Sequence, residues 1–409
     1  MPSSRSAIRP RPASNGDDLR GVNRLTIDAI TGVTDLVEAM HANISRLPGV
    51  LGTVAAGPAP GIAGFVYRSV RGATRLVGDG LDLAFARAAP LLDVVRPPPQ
   101  REAMVAAANG VLGDHLDASR NPLAIPMRLR HGGQALTLRR RELAAALPDA
   151  GGKILVLVHG LCMNDLQWRY GDHDHGAALA RDLGYTPLYL HYNSGRHISV
   201  NGREFSRLLE QLLQRWPVPV ERLAILGHSM GGLVARSACV AAQQERLDWL
   251  AHLDRMIFLG TPHQGAPLER AGSWIDAMIG LSPYTAPFAR LGKIRSAGIQ
   301  DLRHGNVRDE DWEDADADGR ADGRQPSPLP PGVRSYAVAA STASAARDDA
   351  AVLPKGDGLV PVASALGRHP DRAYDLRMPK TRQHIAYGVN HLELLGDAGV
   401  YRQLLRWLG

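Results

Sequence analysis

Residues 223–236 read LAILGHSMGGLVAR, and this stretch restricts the fold more than any other. Leu223, Ala224, Ile225 and Leu226 form a short unbroken apolar run, the pattern of a strand covered on both faces. Leu233, Val234 and Ser237 then fall at helical spacing, and Ser229 occupies the turn between, flanked by Gly227 and Gly231. A chain that passes from strand to helix in so few residues brings its two segments almost into contact, which favours neighbours without a Cβ. Such a G-x-S-x-G turn holds a serine oxygen clear of the end of a parallel sheet.

The flanking sequence has the alternation that such a sheet requires. From about residue 125, strands alternate with helices, which predicts an α/β domain with a mostly parallel, doubly wound sheet. MRLRH (127–131) and ALTLRR (135–140) read as an antiparallel opening pair. KILVLVHG (153–160), TPLYLHYN (186–193), MIFLGTPHQG (256–265), RSYAVAA (334–340) and AYDLRM (373–378) read as further strands. Helices are expected at 176–183, 202–215 and 230–244, with GVYRQLLRWL (399–408) closing the chain. Residues 1–20 are polar and Pro- and Arg-containing, the composition of a disordered terminus. Residues 21–120 read as a helical region with apolar stripes, one through Ile30, Val33, Val37, Met40, Ile44 and Leu47. Packing of these stripes on protein is the default expectation, and a lipid or polymer surface is the alternative.

A serine hydroxyl is a poor nucleophile at neutral pH and needs a neighbouring base held by an acid. In this arrangement the partners follow in the order acid, then histidine, on loops after later strands. Asp357, in the Gly-flanked loop PKGDGLVPVAS, is the favoured acid, with Asp348, Asp349 and Asp371 as competitors. His391 in GVNHLELLGD is the favoured base, ahead of His384 and His369. A tetrahedral oxyanion needs two backbone donors. Met230, next after the serine, and Leu161, after the strand ending in VHG, stand where those amides are needed.

Taken in order, VHGL, GHSMGG, LGTPHQG, GDGLVP and NHLELL resemble the bacterial lipase/esterase branch of the α/β-hydrolase superfamily, with its PGAP1-like deacylase relatives. The resemblance covers roughly residues 125–409. It implies Ser229 as nucleophile, Asp357 as acid, His391 as base, and Leu161 and Met230 as oxyanion donors, cleaving a carboxylic ester through an acyl-enzyme without a cofactor. It also implies a lid over 266–300, where Trp274, Ile275, Met278 and Ile279 would contact an acyl or lipid-like substrate. Residues 121–409 are then the catalytic domain, with an acidic, Pro-rich insert at 306–332. An acyltransferase or intracellular polyester depolymerase with the same triad is the alternative within enzymes. A non-catalytic scaffold on a membrane or granule is the alternative outside them.

Other features carry less. His228 reads as a structural residue of the turn, His159 as a support of the oxyanion loop, and His263 as a loop residue. GDHDHG (171–176) is more simply a helix cap than a metal site, and DADADG (314–319) lacks the glutamate that a calcium loop places twelfth. No metal is expected. The formal charge of +6 is modest and spread along the chain, which does not point to nucleic acid. Cys162 and Cys239 are too few for a disulfide framework and read as buried thiols. No secretory signal or membrane span is apparent, so the expectation is a cytoplasmic protein, with peripheral membrane or granule contact as a variant.

Overall fold

In the computed structural model, the described residues are 99–265, 296–313, 323–344 and 356–409, with parts of 17–31 and 69–82. The chain divides into two compact units: residues 1–98 with 118–124, and residues 99–117 with 125–409. In the first unit the described residues of 17–31 and 69–82 are helical, and Asp82 accepts from Arg20 at 3.2 Å and Arg24 at 2.9 Å. Leu19, Val22, Ile30, Leu76 and Val77 are exposed there.

The second unit is built on one eight-stranded sheet in the order β2-β1-β4-β3-β5-β6-β7-β8. Its strands are β1 (Arg128–His131), β2 (Gln134–Ala135), β3 (Lys153–Val158), β4 (Thr186–His191), β5 (Arg222–His228), β6 (Leu253–Leu259), β7 (Arg334–Ser341) and β8 (Gln383–Tyr387). From β4 through β8 the pairs are parallel, and β1 runs antiparallel to both β2 and β4. The helices that matter below are α1 (Pro99–Ala118), α2 (Arg140–Ala146), α3 (His175–Leu183), α4 (Ile198–Arg215), α5 (Met230–Glu245), α6 (Ala297–His304) and α7 (Ala398–Leu408).

Apolar runs become central strands because helices cover both faces of the sheet. Along β3, Ile154, Val156 and Val158 join one core, while Leu155 and Leu157 join the other. Phe205 and Leu209 of α4, with Leu233 and Val234 of α5, close the first face. Leu179 of α3, with Val400 and Leu404 of α7, closes the second. Among the described residues, no helix is long and apolar enough to cross a membrane.

Two expected strands differ. ALTLRR contributes only Ala135 to a strand, and its end turns into α2. AYDLRM forms no strand. Asp371 Oδ1 accepts from the Ala373 amide and Asp375 Oδ1 from the Arg377 amide, and Arg377 has φ +50°. Aspartates that bond the backbone two residues on hold turns, so the apolar spacing of 373–378 is overridden. The last strand is instead β8, which places His384 inside the sheet.

Candidate active site

Parallel register brings the C-terminal ends of the central strands level. Val158 pairs with Gly227, His228 with Leu259, Leu259 with Val338, and Ser341 with Tyr387. The loops that follow carry Leu161, Ser229, Asp357 and His391, so residues far apart in the chain gather beyond one end of the sheet. That end is where open α/β sheets place their ligands.

Ser229 joins β5 to α5 with φ +53° and ψ −125°, a strained conformation for a residue with a Cβ. Its amide donates to Leu259 O at 2.8 Å, which continues the ladder into the turn. Gly231 permits the approach of α5, because a Cβ there would lie 2.1 Å from the Val158 carbonyl oxygen. Met230 begins α5, so its amide lacks a carbonyl one turn back and lies at the positive end of the helix dipole.

Asp357 and His391 meet inside the protein. His391 Nδ1 donates to Asp357 Oδ2 at 2.7 Å, with both side chains closed to solvent. Asp357 Oδ1 accepts from the amides of Leu359 at 2.9 Å and Val360 at 2.7 Å. Burial by itself raises the pKa of this carboxyl. The facing histidine and the two amides outweigh burial and hold it below the usual carboxylate range. His391 is also fixed through its backbone, since His228 Nε2 donates to the His391 carbonyl at 3.1 Å. Burial pushes the His228 pKa down to about 3, so this ring is neutral and serves as a donor.

Ser229 Oγ and His391 Nε2 are both buried, and neither has a hydrogen-bond partner among the described residues. Unpaired buried polar atoms cost about 1–3 kcal/mol each, and such atoms call for an explanation. No hydrogen bond joins the two in this state. Catalytic bonds are often loose without substrate and tighten in the complex.

The loop after β3 is braced from three sides. His159 Nδ1 lies 2.9 Å from Gly160 O, its ring stacks on Tyr192 at 4.3 Å, and the Tyr192 hydroxyl donates to His159 O at 2.8 Å. Burial lowers the His159 pKa to about 4. Gly110 of α1 lies so close to the loop that a Cβ would meet Cys162 Sγ at 2.2 Å and its backbone nitrogen at 2.9 Å. Asn193 Nδ2 donates to Gly113 O at 2.8 Å, and Ser296 Oγ donates to Gly110 O at 2.6 Å. Helix α1 is therefore part of the wall around the site. Small residues inside an alanine-rich helix carry no mark of which loop they will meet, so this role has no signature in the sequence pattern.

His384 stands in β8 and His369 in a turn with Asp371. Asp348 and Asp349, the residues Trp274, Ile275, Met278 and Ile279 expected to form a lid, and DADADG lie outside the described residues. In GDHDHG, Asp174 caps α3 by accepting from the Ala177 amide. Cys162 and Cys239 are free and buried, and burial pushes both thiols up to about 12. Glu102, Asp165 and His191 could together hold a cation, but Arg130 Nη1 already lies 2.6 Å from Glu102 and 2.9 Å from Asp165.

A mostly parallel eight-stranded sheet covered by helices on both faces, with a serine on a strained strand-to-helix turn, is the α/β-hydrolase fold. The family model described as the PGAP1-like alpha/beta domain matches residues 149–318 of this chain. Among solved structures, the mature lipase BlEst2 of Bacillus licheniformis is similar at 17% identity and a TM-score of 0.40, over 63% of this chain and 91% of that one. The esterase Pf2001 of Pyrococcus furiosus is similar at 12% identity and a TM-score of 0.36, over 64% and 81%. A soluble variant of the Saccharomyces cerevisiae monoglyceride lipase is similar at 11% identity and a TM-score of 0.37, over 63% and 85%. No curated protein matches the chain.

Proposed function

We propose that the protein is a serine hydrolase that cleaves carboxylic esters, with Ser229 as nucleophile, His391 as base and Asp357 as the acid that orients it. The buried 2.7 Å hydrogen bond from His391 to Asp357, on loops beside the Ser229 turn, is the observation that carries this reading. With Nδ1–H committed to Asp357, His391 presents Nε2 as a proton acceptor. Ser229 Oγ attacks the ester carbonyl carbon and its proton passes to Nε2. The amides of Met230 and Leu161 receive the developing oxyanion. The carbon–oxygen bond to the leaving group breaks, the alcohol takes the proton from Nε2, and an acyl-Ser229 ester remains. Water then attacks that ester, gives its proton to Nε2, and the serine regains it as the free acid departs.

Ser229 and His391 are only 1% and 2% exposed, so in this state the catalytic atoms are shielded from water. Such shielding suits an acyl or lipid-like ester whose apolar chain displaces protein contacts on entry. The test is hydrolysis of p-nitrophenyl esters from acetate to palmitate by the wild type and by Ser229→Ala. Turnover that rises with chain length and vanishes in the variant is expected. A variant as active as the wild type would overturn the assignment.

A further inference from the structure

The stretch GDHDHG (171–176) holds two histidines to which the helix cap of Asp174 gives no role. Residues 170–173 form a tight turn closed by two backbone bonds, Tyr170 N to His173 O at 2.9 Å and His173 N to Tyr170 O at 3.1 Å. Asp174 then caps α3 through the Ala177 amide and accepts from the Tyr189 hydroxyl at 2.7 Å. His173 and His175 flank this fixed residue, with their rings edge to face and centroids 4.7 Å apart.

The ring nitrogens form a directed chain. His175 is fully buried, and its Nε2 lies 2.9 Å from Leu394 O. A carbonyl oxygen only accepts, so Nε2 carries the proton. Burial pushes the His175 pKa down to about 4, so the ring is neutral and its Nδ1 is an acceptor. The donor it faces is His173 Nε2, at 2.8 Å. The chain therefore runs from the half-buried His173 through His175 to the backbone of Leu394. Tyr401 packs on both rings, edge-on to His173 at 4.9 Å and parallel to His175 at 5.9 Å, and its hydroxyl donates to Asp182 at 2.6 Å.

Leu394 stands three residues after His391 in the same loop, and the two side chains share one support. A Cβ on Gly260 would lie 2.8 Å from Leu394 Cδ1 and 3.1 Å from both Cε1 and Nδ1 of His391. The loop is thus held at two carbonyls by two buried rings, His391 O by His228 Nε2 and Leu394 O by His175 Nε2. Leu394 is fully buried, so loss of the His175 donor would strand its carbonyl away from water. Such a group is costly, and movement of the loop relieves it.

Given the triad proposed above, we infer that His175 is a positioning residue for the base His391, and that His173 fixes which nitrogen of His175 carries the proton. Neither ring takes part in the acyl chemistry. They hold the loop where His391 Nδ1 meets Asp357, and a misplacement of about 1 Å near a reacting group can cost on the order of a hundredfold in rate.

Steady-state kinetics on one p-nitrophenyl ester, with Tm measured alongside, compare the full chain with His175→Leu, His175→Gln and His173→Phe. His175→Leu removes the donor to Leu394, and kcat is expected to fall about tenfold while KM stays within about twofold. His175→Gln places an amide nitrogen near the position of Nε2, and kcat is expected within about threefold of wild type. His173→Phe keeps a ring against Tyr401 and removes only the donor to Nδ1, with an expected fall in kcat of about threefold. A lower Tm with wild-type kcat in His175→Leu would show a purely structural role and overturn the inference, as would an equal loss of kcat in His175→Gln. If His175→Leu does not fold, the half-buried His173→Phe decides, and wild-type kcat there overturns the inference. A Ser229→Ala variant that keeps the activity would instead overturn the triad on which the positioning rests.

Discussion

Asp357 accepts the His391 Nδ1 proton through one carboxylate oxygen and two backbone amides through the other, so the group that orients the histidine is itself fixed. Asp357→Asn keeps the shape and loses the charge, and its amide donor would drive His391 into the tautomer with the proton on Nε2. A base in that tautomer cannot accept the Ser229 proton. We expect kcat to fall by about 10⁴-fold with little change in KM. Steady-state kinetics on one p-nitrophenyl ester, with circular dichroism as a check of the fold, measure it. A loss below tenfold would remove Asp357 from the proposed triad.

The turn around Ser229 and the central strands were legible because their constraints are local. Apolar runs mark strands buried on both faces, and closely spaced glycines mark a turn in which chain segments touch. The strand expected at 373–378 failed for the opposite reason, since side chains of Asp371 and Asp375 bond the backbone and win over apolar spacing. The bracing of the loop after β3 by α1 was invisible because Gly110 and Cys162 lie far apart in the chain. The bond from His175 to Leu394 O left no mark either, because its partners stand 219 positions apart.

Buried neutral histidines make stability sensitive to mild acid. Burial lowers the pKa of His159 and His175 to about 4 and that of His228 to about 3. The unfolded chain takes up these protons near pH 6.5, while the folded chain resists them. The stabilisation is complete above about pH 6.5 and is lost as pH falls toward 4, by roughly 1.4 kcal/mol per pH unit for each ring. The urea midpoint should fall steeply across this window. His175→Gln, which touches none of the proposed triad, should make the slope shallower by about one proton. Asp357 adds nothing to this window, because its depressed pKa puts its loss at lower pH.

Gly110 and Cys162 form a contact that tests whether α1 positions the loop proposed to supply the Leu161 amide. A methyl group at Gly110 meets Cys162 Sγ at 2.2 Å, and Cys162 itself has φ +59°. Gly110→Ala should lower kcat by on the order of tenfold or more by displacing Leu161, with KM changing less. Cys162→Gly removes the sulfur and the strain of the positive φ together. The double variant should therefore recover part of the lost kcat, and Tm should follow the same order. Strictly additive effects would show that the helix and the loop are independent.

Arg130 is held between Glu102 of α1 and Asp165 of the loop after β3, and it ties both to β1. Burial raises the Asp165 pKa in spite of this arginine, so the carboxylate depends on its partner to stay charged. Arg130→Met would leave two carboxylates facing each other, one of them fully enclosed. The expected loss is about 3–5 kcal/mol at pH 8, because a buried charge has lost its counter-ion. At pH 5 the loss should be smaller, since Asp165 can take up a proton instead. Adding Asp165→Asn should restore part of the stability at pH 8, because the amide carries no charge to compensate. Urea denaturation of the three proteins at both pH values measures these differences, and a loss that is the same at pH 5 and pH 8 would show that Arg130 acts through packing alone.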